Sequence, residues 1–418
     1  MNKDKLIPEL RFPEFENDGE WDKPKLSSVS DVIMGSSPSS LSYNENKIGL
    51  PLLQGNADIK NRLSTPRIYT TEITKECEIG DILLSVRAPV GTVAKSLHNA
   101  CIGRGISALS AKKPNSQEYI YQWLFSYESS WAKISQGGTF DAVNSDDIKN
   151  LLVPIPKPKE QQKIASCLSS LDALITAQSE KIEQLKLLKK GLMQNLFPQE
   201  GEKVPKYRFK EFENDGEWVE EPLSSKVSVI DGDRGLNYPK AEEYSSDGYC
   251  LFLSAKNVTK SGFLFNEFQF ITKEKDELLR KGKLARFDIV LTTRGSLGQF
   301  AFFDENIQFE NIRINSGMVI LRAKDNGINP NYLYSYFNSY SIQSAIKSQG
   351  FGNAVQQLTV AVINNFTLRY PYDPKEQQKI ASCLSSLDSL ITAQVEKIEQ
   401  LKLHKKGLMQ GLFPKINE

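Results

Sequence analysis

The chain has 418 residues and a formal net charge of +1, with 39% hydrophobic and 25% charged residues. This is the composition of an ordinary globular protein, and the length indicates two or three domains. The sequence has no run of about 20 apolar residues and no apolar N-terminal segment, so we expect neither a membrane span nor a signal peptide, and a cytoplasmic protein. Because the net charge is small, a nucleic-acid-binding surface would need local clustering of the 52 Lys and Arg residues.

The residue content argues against catalytic and metal chemistry. The five cysteines are odd in number and scattered, as expected of reduced thiols. The two histidines, His98 and His404, are too few for a Cys/His zinc site or for His-based catalysis. The sequence contains no Gly-x-x-x-x-Gly-Lys-Ser/Thr loop for nucleotide phosphates. We therefore predict no catalytic residue and no metal site in this chain.

The N-terminal segment contains an aromatic motif that recurs in the second half. Arg11 to Trp21, RFPEFENDGEW, returns as Arg208 to Trp218, RFKEFENDGEW, with one difference. Its aromatic residues flank an Asn-Asp-Gly turn. We interpret each copy as a lead-in segment that packs on the edge of a domain, and base stacking by its aromatic residues is the alternative.

Each lead-in precedes a body of about 140 to 155 residues, which is the length of one domain. The two bodies differ strongly in sequence, yet 80–95 and 287–302 share a β-rich run, an Arg, a Gly-bearing turn and a second β-rich run. This order is typical of a hairpin. Further predicted elements are strands at 106–110 and 318–321, aromatic helices at 119–127 and 332–340, and glycine-bearing loops at 136–140 and 349–353. Both bodies are thus predicted to mix α and β structure.

A 40-residue segment, Lys159 to Pro198, follows the first body and returns as Lys375 to Pro414 with four differences. Its apolar residues recur in a three-four pattern over about five heptads, which predicts a long helix with a coiled-coil seam in each copy. Pro158 and Pro374 stand where a helix can begin.

The simplest partner for each seam is the other copy, which predicts an intramolecular antiparallel coiled coil. Dimerisation through four helices is the alternative. In the antiparallel pair Gln178 would meet Gln394 at the centre, where two amides can satisfy each other and fix the register. Lys189 and Lys405 are further interruptions of the seam. The residues predicted to pair the helices are Ile164, Leu168, Leu171, Ile175, Gln178, Ile182, Leu185, Ile380, Leu384, Leu387, Ile391, Gln394, Ile398 and Leu401.

The order body, helix, body, helix predicts an α+β protein. Two mixed α/β domains would be joined by two long helices that form an antiparallel coiled coil with pseudo-twofold symmetry. The predicted boundaries are 1–158 for the first domain, 159–198 for the first helix, 199–374 for the second domain and 375–418 for the second helix and tail.

Two variable bodies separated and ended by near-identical helices, each beginning PKEQQKIASCLSSLD, resemble the specificity subunit of type I restriction-modification systems. The resemblance covers essentially the whole chain. It implies two target-recognition domains, each reading one half of a bipartite, asymmetric DNA target, with the helices setting the spacer.

The resemblance also implies partners. A non-catalytic subunit of this kind docks two methyltransferase subunits and, through the complex, restriction/translocase subunits, and so directs adenine methylation or restriction of double-stranded DNA. S-adenosylmethionine, ATP and Mg would bind to those partners, and no cofactor is expected in this chain.

Base readout requires side chains with several donors and acceptors, chiefly Arg and Lys for guanine and Asn and Gln for adenine. Loops that combine them with glycine are the best candidates, because glycine lets a backbone approach the duplex. The predicted DNA-binding residues of the first body are Gln54, Asn56, Lys60, Arg62, Arg87, Gln136, Thr139 and Asn144. Those of the second are Arg234, Lys256, Asn257, Lys260, Arg294, Gln349, Asn353 and Gln356. For each of them the alternative is a solvated polar loop residue.

Arg87 and Arg294 differ from the other candidates because they recur at the same place in divergent bodies. A residue shared by two readers is poorly suited to specify different bases, so a phosphate contact or a structural bond is the alternative. A protein-binding scaffold is the competing class of function, and it predicts aromatic loop tips. The Tyr and Phe residues fall mainly in the strand-like and helix-like segments, which favours DNA.

Overall fold

The computed structural model describes residues 6–135, 142–324, 327–350 and 357–415. The chain divides into two compact units, of which unit 1 comprises 1–180 and 395–418 and unit 2 comprises 181–394. Each unit thus contains one of the two bodies and a part of both long helices. None of the helices in the described ranges is long and apolar enough to cross a membrane.

Unit 1 contains two sheets and a long aromatic helix. Its strands are β1 Ser30–Met34, β2 Tyr43–Asn44, β3 Leu50–Leu53, β4 Ile59–Lys60, β5 Leu63–Ser64, β6 Ile68–Thr70, β7 Glu76–Cys77, β8 Ile82–Ser85, β9 Val93–Lys95, β10 Ala100–Ile102 and β11 Ile106–Ala111. Its helices are α1 Leu26–Val29, α2 Gln117–Ser135, α3 Ser145–Asn150 and the first part of α4 Pro158–Asn195. The strand orders are β1-β11-β8-β9-β5-β4 and β2-β6-β3-β10-β7.

Unit 2 repeats this plan with fewer strands in each sheet. Its strands are β12 Val219–Pro222, β13 Val227–Asp231, β14 Cys250–Leu253, β15 Val258–Thr259, β16 Gly262–Phe263, β17 Phe270–Ile271, β18 Ile289–Thr292, β19 Phe300–Phe302, β20 Ile312–Ile314, β21 Met318–Ala323 and β22 Thr367–Tyr370. Its helices are α5 Lys273–Leu278, α6 Pro330–Phe337, α7 Tyr340–Gly350, α8 Val360–Asn364 and the first part of α9 Pro374–Leu412. The strand orders are β13-β21-β18-β19, β17-β14-β20, β12-β22 and β15-β16.

The two bodies share a framework that the sequence predicts. β8 pairs antiparallel with β9, and β18 with β19, which confirms both hairpins. The strands predicted at 106–110 and 318–321 are β11, which lies between β1 and the hairpin strand β8, and β21, which lies between β13 and the hairpin strand β18. All four residues of β8 and of β18 are buried, as expected of apolar strands in the interior of a sheet.

Each body core includes the beginning of one long helix and the end of the other. In unit 1, Ile164 and Leu168 of α4 pack in one buried cluster with Met409 and Leu412 of α9. In unit 2, Leu196, just after α4, packs with residues 380–384 of α9. Within each unit the beginning of one helix therefore meets the end of the other, which confirms the antiparallel arrangement. The first apolar residues of each seam hold the helix to its body as well as to its partner helix.

Two ion pairs connect the helices at equivalent positions of the repeat. In unit 1, Lys405 Nζ lies 2.6 and 2.7 Å from the carboxylate oxygens of Asp172. In unit 2, Lys189 Nζ lies 2.5 Å from Asp388 Oδ1. The lysines that interrupt the apolar seam therefore pair with a carboxylate of the opposite helix.

The amides of Gln178 and Gln394 were expected to be satisfied. The side-chain oxygen of each is buried and has no hydrogen-bond partner among the described residues, so neither amide oxygen is satisfied. The charge pairs, by contrast, are formed within each unit, between Lys405 and Asp172 and between Lys189 and Asp388.

The lead-in segments pack on the bodies through buried ion pairs. Arg11 donates two hydrogen bonds of 2.8 Å to the carboxylate of Glu160, the first acidic residue of α4, and a third to Gly19 O at 2.7 Å. Arg208 binds Glu376 and Gly216 O in the same way, at 2.7 to 2.8 Å. Both glutamate side chains are 1% exposed. The interpretation of the motif as a packing segment is confirmed.

The next residue of each helix holds the aromatic helix of the body. Gln161 accepts a hydrogen bond from Ser116 N, just before α2, and donates to Pro156 O. Gln377 accepts from Asn329 N, at the N-terminus of α6, and donates to Pro371 O. The EQQ that begins each long helix thus fixes two different parts of the same body.

The equivalent ion pairs between the helices differ in burial, which gives a matched test. Lys405 is 4% exposed and lies 4.5 Å from the Phe125 ring centroid, whereas the Lys189 side chain is 30% exposed. Burial lowers the pKa of Lys405, and Asp172 raises it again. Asp172→Ala should lower the free energy of unfolding by about 3 kcal/mol. This is the lower end of the range for a broken buried ion pair, because the Asp172 side chain itself is 40% exposed. Asp388→Ala should cost less than about 1 kcal/mol.

Urea unfolding of both variants measures the difference, and equal losses would contradict it. A pH series adds a second readout. Without Asp172 the folded-state pKa of Lys405 lies further below its usual value of 10.5. Such a lysine destabilises the fold only while it is protonated. The free energy of unfolding that Asp172→Ala loses should therefore shrink as the pH rises from the folded-state pKa of Lys405 towards the usual value.

Candidate nucleic-acid interface

Three segments of the first body meet at one end of its larger sheet. They are the loop 35–38 after β1, residues 86–88 after β8, and the turn 103–106 before β11. Backbone hydrogen bonds of 3.0 Å run from Gly35 N to Ile106 O and from Val86 N to Gly105 O. We call this place the loop edge of the first body.

The main chains at the loop edge pack so closely that two positions require glycine. A Cβ on Gly35 would lie 2.2 Å from Gly103 O, and one on Gly105 would lie 2.2 Å from Gln54 O. No side chain fits at such distances, so both positions require glycine. The loop and the turn are consequently held against each other by their main chains.

Arg104 occupies the second position of this turn. The turn is closed by a hydrogen bond from Ile106 N to Gly103 O at 3.0 Å. Arg104 N lies 3.2 Å and its Nε 3.4 Å from Ser37 Oγ. The residue is exposed, and no carboxylate pairs with it in the part of the chain that the structure describes.

The second body builds the same edge from 232–236, 293–295 and 315–318. Thr293 N donates to Gly317 O at 2.8 Å, and Met318 N to Asn315 O at 3.4 Å. A Cβ on Gly232 would lie 2.2 Å from Asn315 O, which repeats the contact made by Gly35. We call this place the loop edge of the second body.

Several exposed basic residues surround the second loop edge. Arg234 Nη2 lies 3.2 Å from both Ser316 O and Asp231 Oδ1. The Asp233 carboxylate accepts hydrogen bonds from Arg234 N at 2.7 Å and Arg280 N at 2.6 Å. Burial alone would raise the pKa of Asp233, but these backbone donors hold it below its ordinary value. Arg280 and Arg234 therefore flank one buried anion while their side chains remain exposed.

Arg87 and Arg294 lie at the same place on the two edges. The residue before each makes matching contacts, because Val86 O accepts from Val143 N at 3.0 Å and Thr293 O from Leu358 N at 3.2 Å. Both arginines are exposed. Their structural equivalence agrees with the alignment of the two hairpins in the sequence.

Other predicted DNA-binding residues of the first body have mixed environments. Gln54 lies against Gly103 of the loop edge and donates to Tyr43 Oη at 2.9 Å. Asn56 has a buried side-chain oxygen without a hydrogen-bond partner among the described residues, and Lys60 is exposed. Arg62 is paired with Glu128 and lies 4.5 Å from the Phe125 ring centroid.

Two of the predicted residues have structural roles instead. Asn257 is 2% exposed, accepts from Ser254 N at 2.9 Å and donates to two backbone carbonyls. In the first body the Asp58 carboxylate likewise accepts a hydrogen bond from Gln54 N at 2.8 Å. Asn257 and Asp58 therefore both support the turn that follows a strand. Asn144 caps α3 by accepting from the backbone of Asp146 and Asp147. Asn257 has no free group for a base.

The remaining predictions are distributed as follows. Lys256 forms an exposed ion pair with Glu267, and Lys260 is exposed. Gln136, Thr139, Asn353 and Gln356 lie outside the described residues, as does the side chain of Gln349 at the end of α7.

Sequence reasoning missed Arg104 and Arg280. Gly103-Arg104-Gly105 meets the criterion of an Arg beside glycine and should have been selected. No sequence pattern near Arg280 indicates its role, because Asp233, which positions it, lies 47 residues away. Exposed guanidinium groups on glycine-bearing edges suit contacts with phosphates and with the edges of bases. No cluster of three or more potential metal ligands is present in the described residues.

Comparison with known proteins identifies the family. The model of the type I restriction modification DNA specificity domain matches residues 18–187 and 229–403, and each match covers most of one body and the helix that follows. The type I restriction enzyme MjaIX specificity subunit of Methanocaldococcus jannaschii is 26% identical over 328 residues, 69% of this chain and 73% of that protein.

A second protein of that organism, provisionally named the type I restriction enzyme MjaX specificity subunit, is 34% identical over 177 residues. The match spans 42% of each chain. The crystal structure of a type I restriction-modification system S subunit from M. genitalium has the same fold, with a TM-score of 0.62 at 17% identity over 99% of this chain and 100% of that one. Since the family model matches well over half of its residues, this chain belongs to the family of type I restriction-modification DNA specificity proteins, which recognise DNA targets and are not themselves catalytic.

Proposed function

We propose that each body reads one half of a bipartite, asymmetric DNA target. The long helices set an unread spacer, and the chain docks two methyltransferase subunits whose adenine methylation it directs, with restriction subunits joining through the complex. The observation that carries the proposal is the presence of two loop edges with one backbone framework and different side chains.

The loop edges support two unlike half-sites. Three of their backbone hydrogen bonds correspond, namely those donated by Val86 and Thr293, those that close the two turns, and those accepted by Val86 and Thr293. The side chains at equivalent positions differ, as with Arg104 and Ser316. Specificity resides in side chains that reach base edges, whereas backbone contacts position the protein. A common framework with exchanged side chains is therefore suited to reading two different short sequences.

The helices have a suitable length for a spacer. α4 has 38 residues and α9 has 39, which corresponds to about 57 Å at 1.5 Å per residue. One turn of duplex DNA spans about 34 to 36 Å. Helices of this length allow two half-sites on one face of the duplex, about one turn or slightly more apart.

Exposed leucines on the helices support docking of two copies of one partner. In unit 1, Leu174 and Leu403 are 40% and 68% exposed, and in unit 2, Leu187 and Leu390 are 68% and 50% exposed. Each of these leucines lies two residues from a member of its unit's Lys–Asp ion pair, so the two leucines of a unit lie at the same level of the helix pair. The exposed leucines of the two units thus occupy equivalent positions of the repeat, as docking of two identical subunits requires.

S-adenosylmethionine, ATP and Mg bind to the partner subunits under this proposed function, and the complex acts in the cytoplasm, where it has access to chromosomal DNA. The described residues contribute DNA contacts and docking surfaces only.

Single-molecule sequencing of genomic DNA tests the proposal. In a host that expresses this chain with its methyltransferase partner, we expect adenine methylation at one motif with two unlike halves and a spacer of fixed length. The same host with the methyltransferase alone should show no such motif. A soluble complex that produces no motif, or one continuous motif, would contradict the bipartite reading and favour a protein-binding scaffold.

The number of methyltransferase copies bound to each chain tests the docking surfaces. The double variant Leu174→Glu with Leu403→Glu should remove one methyltransferase copy, because a charge would replace apolar contact area. The double variant Leu187→Glu with Leu390→Glu should do the same for the other copy. Leu188→His is the matched control, since the second repeat carries His404 at this position. Native mass spectrometry counts the copies, and two copies on both double variants would refute this surface.

A further inference from the structure

The two loop edges carry an arginine at the same junction, but from opposite segments. In the first body Arg104 belongs to the turn before β11, and the facing residue on the loop is Ser37. In the second body Arg234 belongs to the loop after β13, and the facing residue on the turn is Ser316. Arg104 and Ser316 are equivalent positions, as are Ser37 and Arg234, so arginine and serine have exchanged places.

This exchange distinguishes arginines that have the same position in both bodies from arginines that have exchanged positions. Arg87 and Arg294 have the same position in both bodies, and identical contacts at identical positions cannot distinguish two half-sites. Arg104 and Arg234 place the same chemical group at the same junction from two directions. Their guanidinium groups therefore approach a bound duplex along different paths, as specification of different base positions requires.

Both arginines are available and well positioned. Arg104 has no carboxylate partner among the described residues and lies on a turn closed by a main-chain hydrogen bond from Ile106 N to Gly103 O. Arg234 Nη2 contacts Asp231 and Ser316 O, which holds the side chain at the junction. A contact with both acceptors of guanine uses Nη2 together with Nη1 or Nε, so it replaces one of these two bonds. Its backbone is fixed by the buried Asp233 carboxylate at 2.7 Å.

We propose that Arg104 and Arg234 each contact the guanine of one G·C pair, Arg104 in the half-site of the first body and Arg234 in that of the second. Guanine presents two acceptors, O6 and N7, in the major groove, and a guanidinium donates to both at once. The shared Arg87 and Arg294 contact phosphates. The assignment depends on the proposed bipartite reading.

Methylation mapping with four variants tests the assignment. Arg104→Ala should relax one G·C pair in one half-site, so that preference for that pair falls by about 5-fold to 150-fold, and the other half-site should not change. Arg234→Ala should do the same in the other half. Arg87→Ala and Arg294→Ala are the matched controls, and they should lower methylation at every site without adding a motif.

Two further measurements make the result decisive. Arg104→Lys should retain preference for the same pair, because lysine also donates to guanine. The urea midpoint of Arg104→Ala should match that of the unchanged protein, since the turn is held by its backbone. An unchanged motif in both alanine variants, or relaxation at an A·T pair, would overturn the assignment. Absence of a bipartite motif for the unchanged protein would instead overturn the proposed function, so the two failures are distinguishable.

Discussion

The buried ion pair between the lead-in and the long helix is the contact on which each half of this protein depends. Arg11 with Glu160, and Arg208 with Glu376, join two segments about 150 or more residues apart, and the carboxylates are 1% exposed. A buried pair of this kind contributes little net stability, but it is strongly directional, and loss of one partner is costly. It therefore fixes where the body begins and ends relative to the helix. Because both partners belong to repeated segments, the body between them can vary.

The loop edges show the same separation between a constant framework and variable side chains. Gly35 and Gly232 allow an approach of main chains that no other residue permits, and the turns they contact are closed by the same backbone hydrogen bond. Different side chains then project from matching backbone positions. Under the proposed function, DNA specificity changes at such an edge without a change in the sheet beneath it.

Elements with a strong local pattern could be predicted from the sequence, and contacts between distant segments could not. The long helices, both hairpins and the lead-in motifs follow from periodicity and repetition. Asn257 has the side chain of a base-reading residue, yet it supports a turn. The sequence could not show this, because only the fold reveals that Asn257 corresponds to Asp58. Arg280 was missed because its position depends on Asp233, in another segment. Lys405 interrupts the seam in the sequence, and its burial beside Phe125 and its pairing with Asp172 are visible only in the tertiary structure.

The central claim is that each body is an independent reader held by the same anchor. A chain in which residues 22–157 are replaced by 219–373 tests it directly, because both anchors remain and the second body occurs twice. Methylation mapping of this chain with its methyltransferase partner should yield a target with two identical halves in inverted orientation, as antiparallel helices require, and an unchanged spacer. An asymmetric motif, or a folded complex that methylates no motif, would contradict the account.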